Sequence, residues 1–144
     1  MRPLLIAVSV LFAAGLALAA QEETLPPLEQ QAIAAREADQ PKLFLELAER
    51  QLKAAEDAFN EGQAEQVKAA VEEVADYCQK AGEAAAATHK HLKRTEIAIR
   101  ALSRRLDAMR RALSFEDREP LAAAIERMEI VRTSLLNTMF APKS

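Results

Sequence analysis

The sequence predicts an all-α fold: an elongated antiparallel helical hairpin or three-helix, coiled-coil-like bundle with one long central helix. Three observations carry that expectation. Alanine, the residue most favourable to helix, supplies 31 of 144 residues. Aromatic and β-branched residues are scarce, with no Trp, one Tyr and five Phe, so neither an all-β core nor a Rossmann-type α/β sheet is expected. From Val67 to Leu113, small and apolar residues recur at alternating spacings of four and three, the heptad period of a coiled coil. The length suits one small domain. The single Cys excludes an intramolecular disulfide framework and a Cys-based zinc site.

The N-terminal residues read as an export signal. Arg2 precedes an apolar run over residues 4–20, and Ala17 and Ala19 place small side chains where a signal peptidase reads them. A cleaved signal peptide over residues 1–19 is expected, with an uncleaved membrane anchor as the alternative. The run, roughly 17 residues, is at the short end for a spanning helix. No Cys lies near residue 20, so a lipoprotein-type anchor is not expected. The mature chain is expected to be periplasmic or secreted, in an oxidising compartment.

Residues 20–40 read as a linker followed by a weak helix, whose large apolar residues are Leu28 and Ile33. A helical domain over residues 41–140 follows. Pro41 suits a first helical turn, where a missing N–H costs nothing. Leu45, Ala48, Leu52, Ala55 and Phe59 then mark one buried helical face, and Gly62 supplies a left-handed stop.

The central seam comprises Val67, Val71, Val74, Cys78, Ala81, Ala85, Thr88, Leu92, Thr95, Ile99, Leu102, Leu106, Met109 and Leu113. Those 47 residues would span about 70 Å as one helix. A second apolar flank runs through Ala70, Tyr77, Ala84, His91, Ala98 and Ala112, broken by Arg105, and suits contact with two helices. Gly82 costs about 1 kcal/mol relative to Ala inside this helix. A break at Gly82 would convert the fold into a four-helix bundle. Ser114 to Asp117 and Pro120 offer two different starts for the last helix, whose apolar face is Leu121, Ala124, Ile125, Met128, Val131, Leu135 and Met139. Residues 141–144 are expected to be a disordered tail. An elongated monomer of this kind leaves apolar surface uncovered, which makes a homo-oligomer an expected state.

Charge is the feature that points toward function. Residues 21–87 carry 6 basic and 15 acidic side chains, whereas residues 88–113 carry 8 basic and 2 acidic. On a helix with the seam inward, Lys90, Lys93, Arg94, Arg100, Arg104 and Arg111 fall on the outward face. Such a stripe suits an anionic lipid or lipopolysaccharide surface, or an acidic protein partner. Alternatively it is a solvated face, partly neutralised by acids of neighbouring helices or of a second chain. Nucleic acid is not an expected ligand, since no aromatic residues interleave the cations.

No constellation for catalysis emerges, and no cofactor or metal site is expected. His89 and His91, two apart on a helix, point about 200° apart and cannot chelate one ion together. Only a frayed or extended His89-Lys90-His91 segment would bind copper or nickel. Cys78 reads as a small buried hydrophobe, or as an intermolecular disulfide if two long helices pair. The acidic pairs lack a His or Cys partner, and there is no Gly-rich phosphate loop and no Ser-His-Asp signal.

Ala55, Phe59 and Gly62 resemble the helical turn of one tetratricopeptide repeat, which implies an adaptor, but no second copy follows at 34 residues. The runs PKLFLELAERQLKAAED and LLNTMF resemble uncharacterised exported α-helical proteins of bacteria, which implies export and helices and transfers no activity. The LTxxQ motifs of helical periplasmic chaperones do not occur. The expected function is an exported, non-enzymatic helical interaction or scaffolding protein of the cell envelope. A periplasmic chaperone-like or stress protein and a single-repeat adaptor are the alternatives.

Overall fold

The structure, a computed structural model, describes residues 27–142. The expected signal peptide, its cleavage site and the last residues of the tail lie outside the described residues. The described chain is helical, with no strand: α1 (Pro27–Ala34), α2 (Gln40–Asn60), α3 (Ala64–Thr88), α4 (Leu92–Ala112), a 3-10 turn (Phe115–Asp117) and α5 (Glu119–Phe140).

The expected single central helix does not form. It breaks at His89–Lys90–His91, giving α3 and α4, while Gly82 lies inside an uninterrupted α3. Thr88 Oγ1 donates to the Ala84 carbonyl (2.9 Å) and accepts from the Lys90 N–H (3.3 Å), which diverts the backbone from the helical ladder. His89 and His91 both take left-handed backbone, at φ 55° and 60°. The turn lets one chain bury both halves of its own seam. The described chain is thus an all-α bundle in which the expected central helix is divided into two, the break falling at residues 89–91 and not at Gly82.

The seam nevertheless identifies the buried side chains. Val67, Val71, Val74, Cys78, Ala81, Ala85, Thr95, Ile99, Leu102, Leu106 and Met109 are all buried, and only Thr88, Leu92 and Leu113, beside the break or at the end, are half-buried. Helix directions follow from cross-contacts. Arg127 of α5 meets Asp76 of α3 (2.6 Å), and Val131 lies over Gly82, so α5 runs in the same direction as α3. Arg132 of α5 reaches back to Glu96 of α4 and Glu129 to Ser103, so α4 and α5 are antiparallel.

In α2 the buried face is rotated from the expected one. Phe44, Leu47, Ala48, Leu52, Ala55 and Ala58 are buried, whereas Leu45 and Phe59 are only half-buried. The cause is α1, which supplies Leu28 and Ala32 to the core and so widens the covered side of α2. Phe44 stacks on Tyr77 of α3 (centroids 6.4 Å apart), with the Lys80 ammonium over both rings. Burial, then the nearby Glu29 of α1, push the Tyr77 phenol up to about 12. Pro41 sits in the first turn of α2, and Gly62 stops the pair at φ 71°. The two starts for the last helix prove to be separate features: Ser114 Oγ donates to Asp117 (2.9 Å) in the 3-10 turn, and Pro120 occupies the first turn of α5.

Cys78 is a free thiol, fully buried, and burial pushes it up to about 12 against a small opposing effect of Arg127. Its reaction with a thiol reagent at neutral pH is expected to follow the rate of opening of the fold, and to become fast in denaturant. Rapid labelling of the native protein would contradict this burial of Cys78. A disulfide to another chain likewise requires the fold to open.

Candidate interaction face

The cationic segment folds as α4 with its flanking turns, and the structure sorts its eight basic residues into two groups. Four are engaged within the chain. Arg105 is held by Glu49 and Glu56 of α2, joining the two helices. Arg100 pairs with Glu96, and Arg110 (2.7 Å) and Arg111 (2.6 Å) share Asp107. Those two guanidinium groups, Arg110 foremost, hold the Asp107 carboxyl below its ordinary range. The other four, Lys90, Lys93, Arg94 and Arg104, are exposed and make no ion pair among the described residues.

The outward stripe of six is thus brought onto one side of the molecule by α4, with Lys90 carried on the break. Its free charge is concentrated in Lys90, Lys93, Arg94 and Arg104, whereas Arg100 and Arg111 are half-neutralised by acids of their own helix. Apolar side chains accompany the cations. Ile97 is 48% exposed, between Lys93 and Arg104 on the same helical side, and Phe115, just beyond Arg111, is 86% exposed. Sequence reading placed the cations but not these two residues. Ile97 could have been found from its position two residues off the seam, where an outward side chain has no partner.

A groove of about 650 Å³ lies beside this face, between α2 and α4. Leu45, Ala98 and Leu102 line its floor, with Arg94 and Arg105 on the α4 side and Asp39, Glu46 and Glu49 on the α2 side. The same apolar flank is buried in α3, at Ala70, Tyr77 and Ala84, whereas Ala98 is half-buried and lines the groove. Thr95 also lines the groove, and its hydroxyl is buried without a partner among the described residues, a cost of roughly 1–3 kcal/mol.

Both histidines are exposed, and the helical geometry expected to separate them is absent because both lie in the break. Among the described residues no three His, Cys, Asp or Glu side chains gather at metal-binding range. No helix among them is long and apolar enough to cross a membrane. No family model, curated protein or solved structure matches the chain.

Proposed function

We propose that this chain is an exported, non-enzymatic helical interaction protein of the cell envelope that docks on anionic lipid through α4. The architecture we assign is a four-helix bundle, α2 to α5 alternating in direction, with α1 as an added cover. The observation that carries the docking reading is the set of four exposed cations without ion pairs among the described residues, Lys90, Lys93, Arg94 and Arg104, flanking the exposed Ile97. A cation already paired within the chain contributes little to an external anion, because binding must first break the internal pair. Free cations near a negatively charged bilayer each contribute about 1 kcal/mol, and an adjacent apolar side chain adds burial in the interface.

The test is co-sedimentation with phosphatidylglycerol vesicles against phosphatidylcholine vesicles. Binding is expected to the anionic vesicles only and to weaken as salt is raised. Lys93→Glu, Arg94→Glu and Arg104→Glu together are expected to weaken it at least about a hundredfold, since three favourable charges are lost and three unfavourable ones added. Lys68→Glu, on α3, serves as the control of equal charge change per site. Equal binding to both vesicles, or a triple variant that binds as the parent does, would overturn the reading.

A further inference from the structure

The break between α3 and α4 is placed where the sequence pattern calls for helix. Ala85 and Thr88 before it and Leu92 and Thr95 after it keep the alternating spacing of the seam, with no change of phase. Residues 89–91 contain neither Gly nor Pro, yet His89 and His91 stand at positive φ. Left-handed backbone presses Cβ against the following carbonyl, and although His takes it more often than most residues with a Cβ, it remains costlier there than helical backbone. A continuous helix would remove both strained residues.

The contacts that close the fold join two hairpins, α2–α3 and α4–α5. Arg127 to Asp76 and Val131 over Gly82 fasten α5 to α3, and Arg105 to Glu49 and Glu56 fastens α4 to α2. Each of these forms equally well between two chains. Helices α3 and α4 touch each other little, so separating them sacrifices little that is not regained. A short strained hinge between two mutually fitting halves is the arrangement that exchanges between protomers.

We propose that the chain forms a swapped dimer with a second copy of itself. In it, residues 89–91 become helical and α3 and α4 fuse into one rod from Ala64 to Ala112. The α4–α5 hairpin of each chain then seats on the α2–α3 hairpin of its partner. The fused rod places the whole heptad seam on one face, as the spacing requires. Closed monomer and swapped dimer share their interfaces and differ at the hinge, so chain concentration and hinge preference decide between them. The inference does not depend on lipid docking.

The full chain is refolded from denaturant at low and high concentration and its mass read by light scattering after size exclusion. The dimer fraction is expected to rise with refolding concentration. His89→Gly with His91→Gly accepts the left-handed turn freely and disfavours helix, and should lower the association constant at least about tenfold. His89→Ala with His91→Ala reverses both preferences and should raise it by a similar factor. Exchange itself is read with Gly82→Cys and Val131→Cys on a Cys78→Ala background. A Cβ at residue 82 lies 3.8 Å from the Cβ of Val131, the separation a disulfide needs. Oxidation should link chains within the dimer fraction and close a loop within the monomer fraction, as denaturing gels distinguish. Monomers at every concentration, both hinge variants moving association the same way, or a dimer without interchain disulfide would each overturn the proposal.

Discussion

Replacing Glu96 by alanine is expected to lower stability by about 3 kcal/mol, read as a shift of the denaturant midpoint. Glu96 is 2% exposed, on the side of α4 that meets α5. Its carboxylate accepts from Arg132 Nε (3.0 Å) and Nη2 (2.9 Å) of α5 and from Arg100 Nε (3.1 Å) and Nη2 (2.5 Å) of its own helix. Arg132 also donates to Glu129 (2.8 and 2.7 Å), which accepts from Ser103 Oγ (3.3 Å). Removing one member of a buried pair leaves the other charge desolvated, which typically costs about 3–5 kcal/mol. Arg132 keeps Glu129, which puts the cost at the low end. Arg100→Gln, removing a guanidinium that is 40% exposed, is expected to cost under about 1 kcal/mol. Equal losses from the two substitutions would refute the greater cost of removing the buried carboxylate than of removing its half-exposed partner.

The same carboxylate gives a pH dependence of definite sign. Hydrogen bonds from Arg100 and then Arg132, set against burial, hold Glu96 below its ordinary 4.5 in the folded chain. A depressed folded value means the unfolded chain takes up the proton first. The contribution of Glu96 is therefore complete above about 4.5 and disappears as pH falls through the lower folded value. Wild type should be more stable than Glu96→Gln at neutral pH, and the gap between them should narrow on acidification through that window.

The heptad spacing made the core legible because burial is a property of a helix face, and a face survives a break that keeps the phase. Ile99 and Leu106 are fully buried as their spacing required. The break itself was not legible. Helix breaks are read from Gly and Pro, and here a β-branched Thr and two His residues carry it, held by packing of α4 against α5 and α2. The same logic hid the buried face of α2: Phe44 faces Tyr77 because α1 closes over that side, a tertiary fact with no local signal. Of the basic stripe, the sequence located every cation. It set Arg105 on the flank, apart from Arg104 on the outward face, but could not name the acids that hold Arg105, which lie 49 and 56 residues away. Glu96 is the sharpest case. One of only two acids in a basic segment, it is there to meet Arg132, an arginine of the next helix.

Gly82→Ala should destabilise the protein although alanine is the better helix former, and the sign should reverse when Val131 is also alanine. A Cβ built on Gly82 comes 2.4 Å from Cγ1 of Val131, far inside contact, and 4.0 Å from Cδ1 of Leu135. Val131 cannot simply turn away, since a β-branched residue in a helix has essentially one χ1 rotamer. Helix α5 must then shift, and overpacking of this kind costs about 1–3 kcal/mol. Exchange of Gly for Ala returns about 1 kcal/mol of helix preference, leaving a net loss of about 1 kcal/mol. With Val131→Ala the obstructing methyls are gone and the same exchange should stabilise by about 1 kcal/mol, a coupling of roughly 2 kcal/mol between the sites. Gly82→Leu, which adds three further carbons in the same place, should lose about 3 kcal/mol. The glycine that looks like a weakness of α3 thus sets the distance at which α5 can lie. Stabilisation by Gly82→Ala in both backgrounds would mean that the two helices do not approach at this level.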